Sequence, residues 1–180
     1  MPEIRRDRRA FLSAAFFAFG SMCGILTARC ASVAMAVSTA EKLGGFFHSS
    51  VLAASVLAAM AVPLLLLMLS MTLFGALLIL PSVLLAGGVA GWSFCCLLRC
   101  GSDTMTLHPL LMLSALVPQV PCLLLISASC MRLSASLRMM VSHGGLRRPD
   151  LTAELRLLAV GFFAKLLAAI LFAMLLQRWK

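Results

Sequence analysis

Apolar and polar residues fall into long blocks along this chain, without the short periods of a soluble helix or strand. The first nine residues carry Arg5, Arg6, Arg8 and Arg9, and Ala10 to Ala28 follows as an apolar run with no charge before Arg29. About 20 apolar residues cross the hydrocarbon core, so this run predicts a first membrane span. From Arg29 to Ser50 the residues are small or polar, with Glu41-Lys42, Gly44-Gly45 and His48, and predict a connector. Val51 to Leu98 is uncharged; as one helix it would be roughly 70 Å long against a core of about 30 Å, so it must fold back. The reversal is placed around Ser70-Met71-Thr72, giving spans over 51–69 and 73–98. Arg99 to His108 reads as a short loop, and a fourth span over 109–130 follows it.

The next segment carries Arg132, Arg138, Arg147 and Arg148 and ends in Gly144-Gly145 and Pro149. Asp150 is placed to cap a last helix, since its carboxylate can accept from the free amides of the first turn. A fifth span is predicted over 155–176, leaving Gln177-Arg178-Trp179-Lys180 as an interfacial tail. The expected fold is an all-α, polytopic transmembrane bundle forming a single membrane domain, residues 1–180, with spans over 10–28, 51–69, 73–98, 109–130 and 155–176.

Composition agrees with this. Of 180 residues, 62% are hydrophobic and 12% charged, with a mean hydropathy of +1.07, whereas a soluble domain is roughly a quarter charged. The net charge of +9 would suggest nucleic acid in a soluble protein. Here the basic residues flank apolar runs, as the positive-inside bias requires, so no nucleic-acid partner is implied. That bias also fixes the expected orientation. Five spans with the amino end cytoplasmic and the carboxyl end external put Arg5, Arg6, Arg8, Arg9, Arg132, Arg138, Arg147, Arg148 and Arg156, nine residues, inside; Arg29, Lys42, Arg99, Arg178 and Lys180, five residues, lie outside. Treating 51–98 as a single broken span gives seven against seven and removes the bias. Arg8-Arg9-Ala10-Phe11-Leu12 is similar to a twin-arginine export signal, but everything downstream is itself membrane-embedded, so an uncleaved anchor is expected.

Lys165 is the sharpest chemical feature, near the middle of the fifth span, where an ammonium is costly without a partner. Gln119 sits near the middle of the fourth span between Pro118 and Pro121, which deprive the carbonyls of Ser114 and Val117 of helical donors. Two readings stay open: a polar tie between helices, or a midplane binding site like those on broken transporter helices. Gly20 and Gly24 in the first span, and Gly87 and Gly91 in the third, are four apart and predict close helix packing, with self-association as a possible homo-oligomer contact. The seven Cys show no CxxC pair and no His at ligand spacing, so neither metal nor cofactor is expected. Cys30, Cys95, Cys96 and Cys100 fall near the external face, where a disulfide could form if that side is oxidising. His48, His108 and His143 are expected to be solvated. No His lies within a span to serve an intramembrane protease, and no GxxxxGK[ST] loop occurs, so no enzyme is expected.

From Phe74 to Leu137 the order of features resembles the stage II sporulation protein M family of bacterial membrane proteins. Leu80-Pro81 lies inside an apolar helix, and Gly87-Gly88-Val89-Ala90-Gly91-Trp92-Ser93 follows where the family has a glycine and aromatic run. Val117-Pro118-Gln119 matches a Pro-Gln, and an apolar run then leads to Arg132-Leu133-Ser134. Ala86 and Val120 depart from the pattern, standing where a basic residue and an Asn are common. The resemblance implies a non-catalytic component of a bacterial cell membrane that takes part in engulfment during sporulation. Its partners would be membrane lipid and peptidoglycan hydrolases or other cell-wall-remodelling proteins, gathered at the septum. The residues alone fit such a scaffold and equally a small permease subunit with a polar site around Lys165 and Gln119.

Overall fold

The computed structural model describes residues 2–32, 34–35, 37–38, 52–72, 74–100, 108–142 and 151–178. Among them are five long helices and no strand: α1 (Pro2–Cys30), α2 (Leu52–Ser70), α3 (Gly75–Cys100), α4 (His108–Ser142) and α5 (Leu151–Arg178). The connector with Glu41, Lys42, Gly44, Gly45 and His48, the glycines 144 and 145, Pro149, the expected cap Asp150 and the terminal Trp179 and Lys180 lie outside the described residues. Three stretches among the described residues are long and apolar enough to cross a membrane: Arg8–Cys30, Gly75–Cys96 and Pro118–Ser142. The described residues are thus all-helical, with three helices able to span a membrane by length and composition.

The helices run through four prolines, Pro63, Pro81, Pro118 and Pro121, because a backbone in hydrocarbon has no better alternative than the helix. Several serines and threonines are absorbed in the same way. Ser21 donates to the Phe17 carbonyl at 2.9 Å, Thr27 to Cys23 at 2.9 Å, Ser82 to Leu78 at 2.8 Å and Ser127 to Leu124 at 2.9 Å. Each hydroxyl bonds the preceding turn of its own helix, so it carries no unsatisfied proton into the apolar layer.

The uncharged run does reverse. Met71 and Thr72 donate back to the carbonyls of Met68 and Leu69 at 3.2 and 3.1 Å, and the Gly75 amide restarts the next helix on Thr72 at 3.0 Å. Leu66 before the turn and Ile79 and Val83 after it share one buried cluster with Leu123, Ile126, Cys130 and Met131 of α4 and Leu158 of α5. A smaller cluster of Ala28, Cys95 and Cys96 closes the far end of the α1–α3 seam. The turn falls slightly later than the sequence suggests, since the Ser70 hydroxyl bonds the Leu67 carbonyl at 2.6 Å and stays within α2.

The largest departure is α4, which continues to Ser142 instead of stopping near 130. Nothing between Cys130 and Ser142 breaks a helix, and the first Gly pair comes at 144–145. At about 1.5 Å per residue the helix is roughly 50 Å long and must protrude from the apolar core. Arg132 is therefore carried on a bundle helix and not on a loop.

Candidate functional site

Two seams organise the molecule. Along α1 and α3 the contacts are between backbones. A Cβ added at Gly20 would strike the Leu84 carbonyl, at Gly24 that of Gly88, at Gly87 that of Phe17 and at Gly91 that of Ser21. The four sequence-identified glycines are thus brought together in one interface, alternating between the two helices. The pairs advance in step, Phe17 with Gly87 and Ser21 with Gly91, so α1 and α3 run parallel. At the end of the seam the Arg99 guanidinium Nη1 donates to the carbonyls of Ala28 at 2.7 Å and Ala31 at 3.2 Å. It closes the C-terminus of α1, where the last carbonyls have no helical donor and the dipole favours a cation.

Along α4 and α5 the contacts are between side chains. Gly161 receives Ile126 and Leu125, whose side-chain carbons come to 2.9 and 3.0 Å of an added Cβ. Lys165, only 5% exposed, lies one turn further along α5. Toward the other end Arg132 Nη1 meets Glu154 Oε2 at 3.4 Å, with side chains 13% and 22% exposed. As the α4 partner advances from Ile126 to Arg132, the α5 partner retreats from Gly161 to Glu154, so the two helices are antiparallel. Gln119 is half-buried a turn before Cys122, and Pro118 and Pro121 are exposed beside it. Among the described residues no hydrogen bond joins Lys165 to Gln119; the side chains of Ser114 and Val117 lie outside them.

Sequence reasoning missed three polar ties. The first is Arg132 with Glu154. The acid stands at the start of α5, where it also complements the helix dipole, and its pairing was hidden because Arg132 was placed on the segment beyond the fourth span. The second is Ser134 of α4, which accepts from the Ala76 amide at 3.2 Å and donates to the Thr72 carbonyl at 3.4 Å. It caps the free N-terminus of α3 from a neighbouring helix, the task an N-cap residue normally performs locally. The third is Arg99. Only the position of Arg99 at a helix end gave a usable signal.

Two polar atoms beside the ion pair, Ser129 Oγ and Arg132 Nε, are buried without a hydrogen-bond partner. Cys95, Cys96 and Cys130 are buried and Cys23 and Cys30 exposed, all as free thiols. Among the described residues no three His, Cys, Asp or Glu side chains gather as a metal site would require. No protein-family model, curated protein or solved structure matches the chain.

Proposed function

We propose that this chain is a multi-pass, non-catalytic scaffold of a bacterial cell membrane, crossing it five times with the amino end cytoplasmic and the carboxyl end external. The observation that carries this reading is the use made of the polar side chains. Arg132 is held by Glu154, Ser134 by the start of α3 and Arg99 by the end of α1, so charge and hydroxyl are spent on joining helices. The topology has its own support. A parallel α1 and α3 need α2 to return between them, an antiparallel α4 and α5 need the chain to reverse once more, and the amino terminus, Arg132 and Arg156 then share one end.

The resemblance to the stage II sporulation protein M family suggests the partners: peptidoglycan hydrolases brought to the septum during engulfment. A second reading, a small permease subunit, is favoured by one observation, the burial of Lys165 near the middle of α5. The variant Lys165→Met separates the two, because it keeps apolar bulk and removes the charge. A scaffold carrying this change inserts normally, still captures cell-wall hydrolases in membrane cross-linking and still supports engulfment. A permease loses function outright while remaining folded, and that outcome, with normal expression, would replace the scaffold reading. Reporter fusions at Thr72, Gly145 and Lys180 test the topology separately; a cytoplasmic Lys180 would contradict it.

A further inference from the structure

One end of the bundle collects most of the charge. The start of α1, the α2–α3 turn, the outgoing half of α4 and the start of α5 meet there. Among the described residues, the helix segments at that end carry Arg5, Arg6, Arg8, Arg9, Arg132, Arg138 and Arg156 against Glu3, Asp7 and Glu154, seven basic residues to three acidic. The register of the two seams places three of the arginines in depth. Arg8 stands nine residues before Phe17, which meets Gly87, and so lies level with the first turn of α3. That turn is tied to α4 at Ser134. Arg132 is half a turn from Ser134, and Arg156 follows its partner Glu154 by two residues. All three come within about one helical turn, roughly 5 Å, of a common depth, just outside the apolar run that begins at Ala10.

Their directions differ from their depth. Nine residues before Phe17 is the far side of α1 from the glycine seam, and two residues past Glu154 is the far side of α5 from α4. Arg8 and Arg156 are accordingly exposed. Arg132 differs, because Glu154 holds it against the bundle. The result is a belt of three guanidinium groups at one depth, two of them facing outward and the third restrained.

We propose that this belt binds the phosphate groups of anionic phospholipids, and that Glu154 limits it by occupying Arg132. Guanidinium groups match phosphate oxygens in a bidentate geometry, and a basic residue at a membrane surface contributes about 1 kcal/mol toward anionic lipid, roughly a fivefold preference. This does not depend on the scaffold reading or on which side the belt faces. The test uses the full chain in phosphatidylcholine bilayers containing phosphatidylglycerol, with the relative association of the two lipids read from spin-labelled lipid. The wild-type protein prefers phosphatidylglycerol at low salt, R8Q and R156Q each lower the ratio by up to about fivefold, and E154Q raises it by a similar factor. Arg29→Gln, at the opposite end, changes it less than about twofold. A ratio near one, or a ratio indifferent to R8Q and R156Q while both variants remain helical, would overturn the proposal. So would equal, arginine-dependent competition by millimolar inorganic phosphate, which would assign the groups to a free anion.

Discussion

The α1–α3 seam and the α4–α5 seam join helices by opposite means. In the first, glycines are removed from the way and carbonyl oxygens of one helix come against the α-carbons of the other. In the second, an ion pair and interlocking side chains join the helices around a single glycine, Gly161, with Lys165 buried one turn further along α5. Lipid tails are as apolar as leucine, so neither seam gains from simple hydrophobic burial, and each must rest on close packing or polar contact. The difference teaches where each seam is brittle. A backbone seam cannot yield, because its obstacles are main-chain atoms, whereas a side-chain seam can adjust rotamers.

The sharpest break is therefore expected from one methyl group in the first seam. Gly24→Ala and Gly91→Ala each put a Cβ against a carbonyl oxygen that cannot move without its helix. Each should cost about 2 to 3 kcal/mol, the upper range for overpacking, read as loss of folded protein in detergent-mixture unfolding. If either variant loses less than about 0.5 kcal/mol, the helices are not in backbone contact and the contrast between the seams disappears.

In the second seam the losses should be smaller and graded. Glu154→Gln removes the carboxylate from Arg132, whose Nε already lacks a partner, and should cost about 1 to 2 kcal/mol. In a double-mutant cycle with Arg132→Gln the coupling should be no more than about 1 kcal/mol, because the pair is long and reaches solvent. Coupling within error of zero would reduce the pair to a chance approach. Ser134→Ala tests a cap supplied between helices; loss of the bond to the Ala76 amide should cost about 1 kcal/mol, with hydrogen exchange at the start of α3 rising before that elsewhere. Uniform protection would show that the hydroxyl is not the cap.

Much of the first seam was legible in the sequence, and little of the second. Gly20, Gly24, Gly87 and Gly91 announce themselves by spacing, since a missing side chain at every fourth residue has one structural use in an apolar helix. The length of the uncharged run required the return of the chain between 51 and 98, and the burial of Lys165 followed from the cost of an ammonium in hydrocarbon. Arg132 with Glu154 was not legible, because hydropathy assigns an arginine after a span to solvent, and only the continuation of α4 past 130 carries it onto the bundle. Ser134 was hidden for a different reason: a cap normally precedes its own helix in sequence, and this one reaches the start of α3 from α4. Hydropathy reads depth along one helix, and these ties depend on which helix lies beside it.

The smallest expected effect is the most discriminating within the backbone seam. Gly88 lies between Gly87 and Gly91 in the same glycine run and touches α1 as closely as they do, since its amide and carbonyl are among the atoms that added Cβ groups at Gly20 and Gly24 would strike. Its own missing side chain points elsewhere. A Cβ built on Gly88 meets only the Gly20 carbonyl oxygen, at 3.6 Å, an ordinary van der Waals distance. Gly88 thus serves the seam as main chain to be approached, and not as a space left open. Gly88→Ala should leave stability unchanged or raise it by up to about 1 kcal/mol, because alanine is the better helix former. Measured beside Gly91→Ala, it separates two explanations that glycine spacing alone cannot. If the run matters because glycine makes α3 pliable, both alanines destabilise. If it matters because α-carbons at 87 and 91 face carbonyls of α1, only the second does.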